Sequence, residues 1–300
     1  MNSCSNILRS VSLLTAAGLA VSAIAEELPW PTNDLRYAVY TNFVAHTNAR
    51  TTQLHARFTR EPGWPTNGVP CAEWHPQSLL QGWTGFNGLS ICHAFEGNPG
   101  QVRITLLTRR HGYVRGHSMG EVPGVVLTNR AGLKCWFLTT NNTLVEAEVA
   151  ADLIRFPWNG SGNLPRETND WGLLLFKKDL PLSIPSLPVI SQADFLAYYP
   201  SSQSNIMFYV EQGGHCGAQS NPGIGGIFPQ FSVNGWKGGD SGSPNFLPMP
   251  DHTLVLAGGR GTSFASSEMQ ADIDKLTRWA GLRTNDYQLR WVSPTNYLRH

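Results

Sequence analysis

An all-β fold is predicted for this chain of 300 residues, on three features of its sequence. Short apolar, β-branched runs are separated by Gly, Asn and Pro at close intervals, which is the texture of a sandwich or barrel. Helical stripes do not alternate with the runs, so a parallel α/β sheet is not expected, and no repeat of fixed period is visible. Charged residues make up only 14% and the formal net charge is +1. Neither value points to nucleic acid or an anionic membrane surface as the main partner.

Residues 1–25 read as a signal peptide. Arg9 supplies the positive n-region, Val11 to Ala20 the apolar core, and Ala23-Ile24-Ala25 a small-x-small cleavage site. The apolar run is too short to span a bilayer comfortably, so an exported protein, periplasmic or secreted and with no membrane insertion after cleavage, is expected. Cys4 leaves with this segment, and Cys71, Cys92, Cys135 and Cys216 remain for an oxidising compartment. Four cysteines allow three pairings, and the sequence does not choose among them. Cys92-His93 and His215-Cys216 lack the ligand spacing of common zinc sites, so disulfides or buried free thiols are expected and a metal site is not.

Residues 26–85 interleave Pro29, Pro31, Pro62, Pro65, Pro70 and Pro76 with Trp30, Trp64, Trp74 and Trp83. The prolines exclude long helices, and the tryptophans argue against a disordered linker. This part reads as an extension wrapping the core that follows, with one strand candidate at 36–44. Beyond it, strands are predicted at 102–107, 124–128, 135–139, 144–149, 172–176, 206–210 and 253–257. A helix is predicted over about 267–280, where Met269, Ile273, Leu276 and Trp279 form an apolar stripe. Ser266 or Ser267 can cap its start and Gly281 can stop it. The tail through Trp291 and Tyr297 carries no signal.

The stretch with chemical content is Gly238-Gly239-Asp240-Ser241-Gly242-Ser243-Pro244. Small residues around Ser241 let the backbone turn sharply and present its hydroxyl, with the Gly239 and Ser241 amides available to an oxyanion. A tight turn between strands is the plain alternative. A nucleophilic serine needs a base within hydrogen-bond reach and an acid to orient that base. His111 and His117 follow the strand at 102–107. His117 is preferred, because it ends a second short segment, 112–116, whereas His111 falls at the turn between segments. Asp170 runs directly into the apolar strand at 172–176, where a partly buried carboxylate needs a donor. Asp152, in a mixed stretch, and Asp179, in a loop, are weaker acids.

With these residues in view, Gly239-Asp-Ser-Gly-Ser-Pro244 resembles the nucleophile signature of trypsin/chymotrypsin-like serine proteases. Tyr113-Val-Arg-Gly-His117 and Asn169-Asp-Trp-Gly-Leu-Leu174 resemble that family's histidine and aspartate segments, in the family's order His…Asp…Ser. The likeness covers about 85–280, within a protease domain taken as 86–300. It implies two packed six-stranded antiparallel β-barrels with a terminal helix on the second. It also implies a Ser-His-Asp triad of His117, Asp170 and Ser241, an oxyanion hole from the Gly239 and Ser241 amides, and no cofactor. The expected activity is a serine endopeptidase acting on polypeptides through an acyl-enzyme.

Candidate pocket residues under this likeness are Gly235, Trp236, Gly258 and Gly259. Gly235 stands six residues before the serine, where trypsin-like members carry an acid, so cleavage after Arg or Lys is not implied. Arg115-Gly116 replaces Ala-Ala before the histidine, Ser118 replaces a common disulfide cysteine after it, and Ser243 replaces the usual second glycine. Arg103-Ile104 is a poor processing site, so no partner for Asp240 is assigned. An α/β-hydrolase is excluded because prolines, not a helix, follow Ser241, and only His252 and His300 lie downstream. The rival reading is a protease-like fold kept as an inactive exported binding or adhesion module.

Overall fold

The computed structural model describes residues 58–60, 72–74, 86–95, 98–99, 104–116, 124–141, 143–155, 170–198, 206–210, 216–220, 244–249, 253–259 and 265–293. The expected leader at 1–25 and the strand candidate at 36–44 lie outside them. Within the proposed N-terminal extension, β1 (Phe58–Arg60) and β2 (Ala72–Trp74) pair as an antiparallel hairpin.

The rest of the described chain is mostly strand, in antiparallel sheets, as its texture predicted. The first sheet holds β3 (Ser90–Phe95), β4 (Asn98–Pro99), β5 (Thr105–Thr108), β6 (His111–Val114), β7 (Val126–Leu127), β8 (Lys134–Leu138), β9 (Leu144–Arg155) and β10 (Trp171–Phe176). Its order is β4-β3-β8-β9-β10-β6-β5, with β7 on the side of β9. These ladders draw no closed barrel, although Leu89, just before β3, bridges antiparallel to Thr105 of β5. After a short helix α1 (Gln192–Tyr198), the second sheet is formed by β11 (Ile206–Val210), β12 (Cys216–Ser220), β13 (Pro244–Pro248) and β14 (Leu254–Gly259) in the order β12-β11-β13-β14.

The first sheet is buried on both faces, and its sequence shows how. Along β8, Cys135 and Phe137 join one apolar cluster while Trp136 and Leu138 join the other, the period of two that a pleated strand imposes. Strand β9 changes phase midway. Ala147 and Val149 face the cluster of Cys135 and Phe137, here called inner, but Ala151 and Leu153 face that of Trp136 and Leu138, here called outer. The cause is a bulge: β10 Leu175 pairs with Ala151 and Phe176 with Val149, leaving Ala150 as an extra residue. The bulge lets one strand of 12 residues serve both clusters, which predictions ending at 149 did not foresee.

The outer cluster joins Leu107, Trp171, Leu173 and Leu175 of the first sheet to Phe246, Leu254 and Leu256 of the second. A strap between them carries hydrogen bonds to both. The Leu187 N–H donates to the Leu106 carbonyl at 2.8 Å, and the Leu256 N–H donates to the Pro188 carbonyl at 2.8 Å. The tail attaches to the same strap through Val189, whose N–H donates to Arg290 and whose carbonyl accepts from Val292.

Helix α2 (Ser267–Trp279) forms where its stripe predicted. Ser266 caps it, accepting from the Met269 N–H at 3.2 Å, and Gly281 follows its end with φ +71°. Its main packing contacts are with β7, β9 and β10 of the first sheet. One expectation about it is corrected: Met269, Ile273 and Leu276 are buried, but Trp279 is 50% exposed. Strands β1, β2, β3, β4, β12 and β13 and helix α1 were not predicted; in β13, Pro244 and Pro248 stand at the two ends, where a missing N–H is tolerated.

Leu276→Ala is expected to lower folding stability by about 2–5 kcal/mol, since it opens a cavity under α2. Trp279→Gln is expected to stay within about 0.5 kcal/mol of the parent. Urea denaturation of the two variants measures both.

Candidate functional site

Asp170 lies directly before β10 and is 6% exposed. Antiparallel pairing of β10 with β6, with Gly172 opposite Val114, carries the chain after β6 past this carboxylate. There the Gly116 N–H donates to Asp170 Oδ1 at 2.9 Å. A buried carboxylate needs such donors, and a backbone amide cannot swing away as a side chain can. Gly116 is required sterically as well. A Cβ at this position would lie 2.8 Å from Asp170 Oδ1, 2.8 Å from the Trp171 carbonyl oxygen and 2.9 Å from that of Arg155. Glycine in front of His117 is therefore a local packing demand. The peptide that anchors Asp170 is one residue before His117.

Arg115 is half-buried beside this contact. Burial lowers its pKa from the ordinary value, and the negative charge of Asp170 acts in the opposite direction. Arg115 thus brings a partly desolvated positive charge near Asp170.

His111 occupies a different environment from the one expected. It is not in the turn. It opens β6, fully buried, and the two-residue turn is Arg109-Arg110. Thr108 Oγ1 accepts from the Arg110 and His111 N–H groups, leaving its own proton for His111 Nδ1 at 2.8 Å. Thr277 Oγ1 gives its proton to the Ile273 carbonyl, so at 3.3 Å it accepts from His111 Nε2. The ring is therefore the neutral Nε2–H tautomer, with both nitrogens committed. Burial, and secondarily the charge of Arg110, lower its pKa from 6.5 to about 3. A ring so enclosed links β6 to α2 and has no free nitrogen for a serine.

The weaker acids are also occupied. Asp152 is fully buried in β9 and accepts from Arg130 Nη1 at 2.7 Å. Asp179 accepts from the Tyr287 hydroxyl at 2.9 Å and lies 3.6 Å from Arg110 Nη1. Among the acids weighed from sequence, Asp170 is the one joined to the segment that leads into His117.

His117, Gly235, Trp236, Gly239 and Ser241 lie outside the described residues. Their flanks are described in part. Gly116 precedes His117, and Pro244, three residues after Ser241, opens β13 opposite Gly259. Gly258 is buried with φ +77°, within the strand expected to line a substrate channel. Of the cysteines, Cys71 is outside the described residues. Cys135 is buried in β8, with its Sγ 3.5 Å from the Ala147 carbonyl oxygen. Among the described residues, no group of three or more His, Cys, Asp or Glu could hold a metal ion, and no helix is long and apolar enough to cross a membrane.

Sequence reasoning missed the polar knot next to Asp170. Asp272 of α2, 1% exposed, accepts from Arg155 Nε at 2.8 Å and Nη2 at 2.9 Å, and from Trp171 Nε1 at 3.2 Å. These hydrogen bonds raise the pKa of Arg155, against a smaller opposing effect of burial. The signal available was an acid, Asp272, at the centre of an otherwise apolar helical stripe. No protein-family model matches the chain, and no curated protein matches it.

Two outcomes are expected. Gly116→Ala should cost about 1–3 kcal/mol, because the obstructing atoms are backbone carbonyls and a held carboxylate; thermal unfolding measures it. His111 is neutral when folded and titrates near 6.5 when unfolded, so between about pH 6.5 and 3 the unfolded chain binds the extra proton. Its contribution is complete above pH 6.5 and is lost as pH falls, with a slope of up to about 1.4 kcal/mol per unit. The acid limb of the stability–pH curve should flatten by that amount in His111→Gln.

Proposed function

We propose that this chain is an exported serine endopeptidase in which Ser241 is the nucleophile, His117 the general base and Asp170 the residue that orients it. The observation that carries this reading is the hydrogen bond from the Gly116 amide to Asp170 Oδ1 at 2.9 Å. It ties a buried acid to the residue before the histidine across a β6–β10 ladder. Two histidines followed the same strand, and His111 is spoken for by two threonines, which favours His117. The two-barrel architecture is supported by the Leu89–Thr105 bridge across the first row. It is supported also by the strap and tail, which add bridged rows beside β14 through Val189.

In this mechanism Ser241 Oγ attacks a peptide carbonyl while its proton passes to His117. The Gly239 and Ser241 amides hold the oxyanion, and His117 then protonates the leaving amine. Water, deprotonated by His117, hydrolyses the ester and restores the serine. Gly235, Trp236, Gly258 and Gly259 are proposed to shape the substrate pocket, which carries no acid at Gly235 to favour Arg or Lys. No cofactor takes part in these steps.

A fluorophosphonate probe tests the proposal. Intact-mass spectrometry should show one adduct on the folded protein, absent in Ser241→Ala and His117→Ala. Asp170→Asn should slow labelling by about 10³- to 10⁴-fold, and His111→Gln should label at close to the parent rate. No adduct on folded parent protein would sink the enzyme and leave the binding or adhesion module.

A further inference from the structure

We propose that Asp272, on the C-terminal helix, is a positioning residue for Asp170, so that α2 sets the geometry of the acid. The inference rests on the protease reading for its catalytic consequence, but its geometry is independent of that reading. Trp171 directly follows Asp170, and Arg155 is its ladder partner across β9 and β10. The carbonyl oxygens of these two residues enclose Gly116, whose amide holds Asp170. Both side chains converge on one carboxylate: Arg155 contributes two hydrogen bonds to Asp272, and the fully buried Trp171 indole contributes a third. Asp272 therefore fixes the two backbones that form the walls around the Asp170 anchor.

Docking the helix would not by itself require this arrangement. Leu276, Ile273 and Met269 already bury the apolar stripe, and Lys275 reaches the Gly124 carbonyl at 2.6 Å. What Asp272 adds is a rigid link between the helix and the first residue of β10. Arg155 from β9 also lies 3.4 Å from Glu268 of α2, and Arg115, after β6, interacts electrostatically with Asp170.

Asp272→Asn keeps the shape but sets an amide N–H₂ or a single weaker acceptor against the Arg155 fork. In this variant of the full chain, hydrogen exchange at the Gly116 amide should quicken by about tenfold or more while that of Val114 stays protected. Fluorophosphonate labelling should slow by about 10- to 100-fold. The rising limb of its pH profile should move to lower pH, because a displaced Asp170 supports the His117 imidazolium less well. Arg155→Lys, which keeps the charge but not the fork, should change both readouts in the same direction by less. Leu276→Ala, which weakens the same helix, should leave the pH profile in place. Parent-like Gly116 exchange and pH profile in folded Asp272→Asn would overturn the inference, as would an equal profile shift in Leu276→Ala. If the parent does not label at all, the protease reading fails, and Gly116 exchange alone decides the role of Asp272.

Discussion

A carboxylate cannot be buried without donors, and the corner around Asp170 is arranged to meet that demand. Strand β10 is covered on both faces, so a charge at its entrance is kept from bulk water. The donor comes from the neighbouring chain at Gly116, and the approach is so close that a side chain there would strike three oxygen atoms. Pairing of β6 with β10 sets this distance, and β9 flanks β10 on its other edge. Strand order and glycine serve the same few ångströms.

Two other buried polar groups show how the same interior treats charge differently. His111 is kept neutral by burial, and its two threonine partners accept that state, so it ties β6 to α2 without chemistry at neutral pH. Asp272 is held by a guanidinium and an indole, an arrangement in which every strong acceptor has a donor. Hydrogen bonds to charged groups contribute roughly 1.5–3 kcal/mol each, and removing one partner costs more than the bond itself contributes. Such a knot resists displacement. That property suits a support for Asp170 better than apolar contact, which permits sliding.

Much of the fold was legible in the residues. The runs at 135–139, 172–176, 206–210 and 253–257 became β8, β10, β11 and β14, because short β-branched stretches between turn residues have few other options. The α2 stripe and its Ser266 cap were legible for the same local reason. Helix α1 was legible but overlooked. Ser191 and Asp194 stand three apart; the Asp194 N–H donates to Ser191 Oγ, and the Ser191 hydroxyl donates in turn to Asp194 Oδ2 across the helix start. Strand β12, Cys216–Ser220, has no such signal, since Gly217, Gln219 and Ser220 form a strand here only by pairing with β11.

For the candidate site, spacing and residue type singled out Ser241, His117 and Asp170, because candidate nucleophiles, bases and acids are read from local sequence. Local marks could not say why Gly116 precedes His117, that His111 is sealed between two threonines, or that the closing helix lies on the first sheet. Each of those facts depends on residues far apart in the chain meeting in space: Gly116 with Asp170, His111 with Thr277, Arg155 with Asp272. Backbone propensity is a property of neighbours in sequence, whereas desolvation and hydrogen-bond geometry belong to neighbours in the fold. Asp170 stood out as a candidate on local grounds, and what holds its carboxylate was settled only when the sheets and helix packed.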